Sequence, residues 1–227
     1  IVTTGTGSGK SLTYLIPIYD AVVRSNPENH QVRALIVYPM NALINSQHAA
    51  LKRYAEENFP DSKVRFDMYT GQTREEDRQR ILADPPHILL TNYVMLEYLL
   101  MRSYERTLLA TATQNLDFVV MDELHFYRGR QGADVAMLMR RVAQKAGKDV
   151  QAIGTSATMT TEGSREERKA TVARVASTQF GVAIPPTNIV DETLQRMAQV
   201  TVPASPSALR QAVEMEPPAK NVDAVMN

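Results

Sequence analysis

Two short stretches of this 227-residue chain carry side chains whose types and spacing suit phosphate chemistry. The first is Thr4-Gly5-Thr6-Gly7-Ser8-Gly9-Lys10-Ser11. Its glycines let the backbone curl so that N–H groups converge on phosphate oxygens. A helix starting at about Lys10 adds its positive end. Thr6, Gly7, Ser8 and Gly9 then form a cradle, and Lys10 places a point charge against the β- and γ-phosphates of a nucleoside triphosphate. The Ser11 hydroxyl suits Mg²⁺. The strict pattern has Gly where Thr4 stands, so this is a variant. A Gly/Ser/Thr surface loop shares the composition, but apolar residues precede this one and Leu12-Thr13-Tyr14-Leu15-Ile16 follows it.

The second stretch is Val119-Val120-Met121-Asp122-Glu123-Leu124-His125, two carboxylates at the end of an apolar run. Asp122 suits the role of acidic partner to Ser11, holding Mg²⁺ through water. Glu123 suits orienting and deprotonating the attacking water. Adjacent residues at a strand end point to different sides, so one can face metal and the other water. Alone, the pair is also what an ordinary strand ahead of a solvated turn looks like. A phosphate loop upstream, with several strand–helix units between, favours the catalytic reading.

Such a pairing needs a scaffold that brings residues 4–11 and 122–125 together. Ala34-Leu35-Ile36-Val37-Tyr38 predicts a strand ending at Pro39, and Asn41 to Asn58 a helix free of Gly and Pro. Val64 to Tyr69 alternates as a strand does, and Arg74 to Leu82 is charged and helical. His87 to Leu90 is a short strand, Tyr93 to Arg102 a helix, and Leu116 to Met121 a buried strand. Val135 to Ala146 predicts a helix that stops near Gly147, Val150 to Ile153 a strand, and Arg165 to Phe180 a helix ending at Gly181. The strand feeding the phosphate loop is expected to lie largely ahead of Ile1. This alternation predicts an α/β fold, a mostly parallel sheet with helices on both faces and catalytic loops at the carboxyl ends of the strands.

After Val202 the composition changes, with Pro203, Pro206, Pro217 and Pro218 among Ala and Ser. The division expected is a domain over 1–202 and a linker or tail over 203–227, within which Ser207 to Met215 has the length of one short helix.

Composition bounds the function classes. Hydrophobic residues make up 44% and charged residues 22%, ordinary for a globular protein. There is no cysteine, so these residues hold no disulfide or thiolate metal site, as suits a reducing cytoplasm. A formal net charge of +0 argues mildly against a compact DNA-binding module. His30, His48, His87 and His125 form no close ligand pair, which disfavours a metal hydrolase. The most apolar stretch, Ile88 to Met101, is interrupted by Asn92 and Glu97 and is too short to span a bilayer.

Taken in order, the motifs resemble those of superfamily 2 helicases with a DEAD/DEAH-type box. Thr4 to Ser11 resembles motif I, and Tyr14-Leu15-Ile16-Pro17-Ile18 is similar to the helix after it, where that family also carries a proline. Asp122-Glu123-Leu124-His125 looks like motif II, and Ser156-Ala157-Thr158 like motif III. Pro39-Met40-Asn41-Ala42-Leu43 resembles motif Ia, with Met40 where Thr is common; Thr70-Gly71 is similar to a small glycine motif, and Thr91-Asn92 stands where motif Ib is expected. Each of these last three stretches also reads as a plain turn.

The resemblance implies a P-loop NTPase, RecA-like first motor domain using ATP and Mg²⁺. Lys10, Asp122 and Glu123 are then catalytic, and His125, Ser156, Ala157 and Thr158 relay nucleotide state. Pro39, Asn41, Thr70, Gly71, Thr91 and Asn92 contact a nucleic-acid backbone, which carries no sequence information. It further implies a second motor domain with arginine fingers beyond Asn227 and an adenine-reading segment before Ile1. Such an arginine is worth about 10³–10⁵ in rate in related enzymes, so the chain alone is expected to bind nucleotide weakly and turn over very slowly.

Within that family, Asp122 to Gly132 resembles large bacterial helicases related to MrfA and to phage-defence (DISARM-type) helicases, which favours DNA over RNA and allows defence or repair partners. Arg128, Arg130, Arg140 and Arg141 suit nucleic-acid contact or a plain solvated face. A duplex translocase that does not unwind, an RNA helicase and a nucleotide-dependent interaction module are the alternatives.

Overall fold

The computed structural model describes residues 1–5, 9–25, 28, 30–101, 115–146, 149–157 and 163–192. Of the expected site residues, Thr6, Gly7, Ser8 and Thr158 lie outside the described residues, as does the expected tail. A compact unit runs over Ile1–Glu192.

Seven strands form one sheet: β1 Val2–Thr3, β2 Ala34–Tyr38, β3 Phe66–Tyr69, β4 Ile88–Asn92, β5 Phe118–Met121, β6 Gln151–Ser156 and β7 Val190–Asp191. Their order is β3-β4-β2-β5-β6-β1-β7, and every pairing is parallel. The helices are α1 Lys10–Arg24, α2 Asn41–Asn58, α3 Glu75–Ala83, α4 Tyr93–Met101, α5 Gly129–Ala146 and α6 Arg165–Phe180.

The strand sequences explain the layers. All five side chains of β2 are buried, as a strand covered on both faces requires. Ala34, Ile36 and Tyr38 join Ile88, Leu90 and Val120 in a core under α1 and α2. Leu35 and Val37 point the other way, joining Leu89, Val119 and Met121 under α4 and α5. The period-two alternation of each strand therefore serves two cores, one on each side of the sheet.

Several boundaries differ from the sequence reading by one or two residues, and two differ by more. Helix α5 begins at Gly129 rather than Val135, because its first two turns are mostly polar and exposed and show no apolar period. Strand β6 runs on to Ser156 rather than stopping at Ile153. The apolar run ends there, but the ladder continues: Thr155 and Ser156 pair with Val2 and Thr3. Ser156 of the expected motif III is therefore a strand residue. Among the described residues, no helix is long and apolar enough to cross a membrane.

Helix α6 starts where its sequence says it should. Ser164 accepts a hydrogen bond from the Glu167 backbone N–H at 3.2 Å, and the Glu167 carboxylate accepts one from the Ser164 N–H at 2.7 Å, a complete capping box. Ser164→Ala is expected to cost about 1 kcal/mol, read as a fall in thermal midpoint of about 2–4 °C.

Candidate nucleotide site and strand-end loops

The phosphate loop connects β1 to α1. Gly9 adopts φ 76° just ahead of the helix, a left-handed conformation that favours glycine. Lys10 opens the helix and is only 9% exposed. Its Nζ donates to the carbonyls of Thr4 and Gly5, both at 2.9 Å, which holds the ammonium across the base of the loop. The Gly5 N–H donates to the Glu192 carboxylate at 3.0 Å. Ser11 stands one position on, and further along α1 the buried Tyr14 hydroxyl lies 3.2 Å from the Tyr38 hydroxyl.

The acidic pair follows β5, two strands away from β1. The Asp122 N–H donates to Val37 O at 2.9 Å, extending the ladder one residue past the strand. Its side chain is nearly enclosed, and burial pushes the carboxyl up to about 6; the Thr155 hydroxyl, donating to Asp122 Oδ1, and the charge of Lys10 oppose that rise, while Glu123 adds to it. The lysine and the aspartate therefore act on one another across the space where a phosphate and its cation would lie.

Glu123 turns out of the strand with φ 56° and ψ 53°, the one non-glycine at positive φ among the described residues. Such a conformation costs of order 1–3 kcal/mol and persists where surroundings enforce it. Here the Thr155 hydroxyl accepts the Glu123 N–H at 3.1 Å. One fully buried hydroxyl thus binds both acidic residues. Glu123 Oε2 is buried without a hydrogen-bond partner. His125 Nδ1 lies 3.2 Å from it, outside hydrogen-bonding geometry, and 3.3 Å from Ser156 Oγ. Expected coupling residues His125 and Ser156 therefore meet, with Glu123 beside them. The turn lies close against β6 because Gly154 has no side chain; a Cβ there would stand 2.5 Å from Leu124 Cδ1.

Sequence reasoning missed Thr155. Its signal was the ladder: Met121 pairs with Gly154, so the next residue of β6 stands level with Asp122.

The remaining predicted residues gather at the carboxyl ends of three neighbouring strands. Asn92 Nδ2 donates to Asn41 Oδ1 at 2.6 Å, joining the loops after β4 and β2, while Asn92 Oδ1 accepts the Met95 N–H at 2.7 Å at the start of α4. The Thr91 hydroxyl donates to Tyr69 O at 2.7 Å, tying β4 to β3. In the loop after β3, Thr70 O accepts from Arg78 Nη2 at 3.2 Å, and a cleft lined by Asn45, Thr70, Gln72 and Arg74 opens beside it. Pro39 and Gly71 stand in the same loops.

The residues present fit a magnesium ion shared with phosphates. A buried carboxylate with raised affinity for protons is a carboxylate lacking positive charge. The Ser11 hydroxyl is a suitable second ligand. Among the described residues no group of three His, Asp or Glu side chains could hold a metal alone, as expected where phosphates and water complete the shell.

Two tests follow from this geometry. Because the folded state raises the Asp122 carboxyl from 3.8 to about 6, the folded chain binds more protons than the unfolded chain between those values. Stability from this group is therefore lost as pH rises through that window. Asp122→Asn is expected to melt with wild type near pH 4 and above it at pH 7, and midpoints measured across the range check this. Thr155→Val leaves the Asp122 carboxylate and the Glu123 N–H without their shared partner, and is expected to lose about 1–3 kcal/mol in denaturant unfolding.

Comparison with known proteins agrees with this geometry. The family model described as DEAD/DEAH box helicase matches residues 1–166. An uncharacterized ATP-dependent helicase, MJ1574, from Methanocaldococcus jannaschii is 35% identical over 147 residues, covering 63% of this chain and 20% of that protein. The uncharacterized ATP-dependent helicase YprA of Bacillus subtilis is 32% identical over 162 residues, covering 70% of this chain and 20% of its own length. The chain thus spans about a fifth of these relatives. Among solved structures, the DUF1998 helicase MrfA bound to DNA superimposes with a TM-score of 0.69 at 29% identity, over 84% of this chain and 24% of that one. With its family model matched over most of its length, the chain belongs to the DEAD/DEAH box helicase family.

Proposed function

We propose that this chain is the ATP-binding motor domain of a nucleic-acid-dependent ATPase that acts on DNA, coupling hydrolysis to strand translocation or unwinding. The observation that carries the reading is the buried Lys10 at the start of α1 and the buried Asp122 past the end of β5, both at the carboxyl edge of one parallel sheet, with Glu123 turned out beside Asp122. Lys10 exchanges its contacts with Thr4 and Gly5 for phosphate oxygens. Ser11 and Asp122 hold Mg²⁺, which when bound neutralises charge on the phosphates. Glu123, in its left-handed turn, orients the attacking water and takes its proton. His125 and Ser156 sense Glu123 and pass its position to β6.

The strand-end loops supply small polar side chains and backbone N–H groups suited to a sugar–phosphate track rather than to base edges. DNA is the favoured polymer because MrfA, similar over 84% of this chain, was solved bound to DNA. A second motor domain completes the site in the full protein, and the cysteine-free composition suits a cytoplasmic location.

Titration with fluorescent ATP and ADP in Mg²⁺ tests the reading. Wild type is expected to bind, and Lys10→Ala to weaken binding by at least about tenfold, the loss of a charge-assisted contact. In the full chain, Glu123→Gln is expected to retain nucleotide while DNA-stimulated hydrolysis falls by about 10²-fold or more. Equal binding by wild type and Lys10→Ala overturns the reading.

A further inference from the structure

The turn that carries Glu123 is held at a cost that the mechanism above leaves unexplained. It runs from the left-handed Glu123 through the short helical turn Leu124–Phe126 to Tyr127. Each end buries a polar atom that has no hydrogen-bond partner among the described residues: Glu123 Oε2 at one, the Tyr127 hydroxyl at the other. Tyr127 is only 2% exposed, and phenylalanine would fill the same space without burying that oxygen. Backbone strain and orphaned polar atoms gathered on one short segment mark a conformation that its neighbours impose.

Three neighbouring elements hold it. The Thr155 hydroxyl of β6 accepts the Glu123 N–H at the start of the turn. At its end, the Tyr127 carbonyl accepts from Nε2 of Gln179, a buried side chain on α6, at 3.0 Å. Gly132 of α5 lies against the same carbonyl, where a Cβ would stand 2.6 Å away. The main chain of Tyr127 is thus fixed from α5 and α6. Its ring belongs to the core shared with α4 and meets the ring of Tyr93 edge-on, with centroids 6.1 Å apart and planes at 85°. Tyr93 is the first residue of α4 and follows Asn92, which joins the loops after β4 and β2 and accepts the Met95 N–H. One aromatic contact therefore spans from the strand-end loops to the turn that places Glu123.

We propose that the Tyr93–Tyr127 contact couples these two places: a nucleic-acid backbone held at the Asn92 loop shifts α4 and, through the two rings, moves the strained turn toward the conformation that aligns Glu123 with the attacking water. Tyr93 and Tyr127 are then positioning residues for Glu123. This rests on the proposed DNA-dependent hydrolysis.

The test uses the full chain with ATP, magnesium and a single-stranded DNA oligonucleotide. Hydrolysis is measured with and without the DNA, beside the affinity for fluorescent ATP, for wild type, Tyr93→Leu, Tyr127→Leu, Tyr127→Phe and the double leucine variant. Each leucine variant is expected to lose about five-fold of the stimulation by DNA, the weight of one aromatic pair, while its DNA-free rate and nucleotide affinity stay within about two-fold of wild type. The double variant should lose no more than the larger single loss, since the same contact is removed once. Tyr127→Phe keeps the ring, so it should keep the stimulation, and it should melt above wild type because the orphaned hydroxyl is gone. If Tyr127→Leu does not fold, Tyr93→Leu still reads the contact from a half-buried position.

Stimulation that survives intact in Tyr93→Leu overturns the proposal. So do single losses that multiply in the double variant, and a DNA-free rate that falls as far as the stimulated one, which marks a purely structural role. Loss of stimulation in Tyr127→Phe puts the effect in the hydroxyl and overturns the ring contact. Wild-type hydrolysis that DNA does not stimulate overturns the DNA-dependent reading with it.

Discussion

Asp122 carries its carboxylate into the end of the sheet, where water reaches it poorly and Glu123 follows one residue later. Burial raises the Asp122 carboxyl, and the neighbouring Glu123 adds to the rise. The fold answers with oriented dipoles and one cation. Thr155 binds both residues through a single oxygen, and Lys10 faces them from α1. The parallel topology adds more: α1, α2, α4 and α5 all begin at or soon after a strand's carboxyl end, so their positive ends gather on the edge that holds the acids.

The same edge carries the loops assigned to the nucleic-acid track. Asn41, Thr91, Asn92, Thr70 and Arg78 are linked by side-chain hydrogen bonds that cross three adjacent strands. Their geometry is set by the protein before any partner arrives, which limits the entropy lost on binding. Much of the Asn92 amide is committed inward, to Asn41 and to the start of α4. Asn92 is thus placed to support the proposed track from within.

What was legible in the sequence follows a physical line. Strand β2 and helix α6 are read correctly to the residue because their signals are local: a fully apolar five-residue run, and a helical stretch closed by Gly181. The glycine-rich loop and the acidic pair are legible because their chemistry depends on neighbours in the chain. Thr155 is not, because its role exists only once β6 lies beside β5, and a threonine after glycine in a strand announces nothing alone. The left-handed turn at Glu123 is hidden for the same reason: packing of Leu124 against Gly154 enforces it. The contact between the Tyr14 and Tyr38 hydroxyls joins residues on separate elements, and tyrosine among leucines and isoleucines reads as plain core.

Strand β1 is two residues long and lies between β6 and β7, whose partner residues stand more than 150 positions further along. Val190 N donates to Ile1 O. The expected phosphate loop, which follows β1, is thus anchored by segments far along the chain. Hairpin-like local pairing cannot form it early, since the ladder on both sides of β1 is parallel and distant, the slowest kind of contact to close. A chain that has paired only β2 through β5 has yet to fix the strand that leads into Lys10.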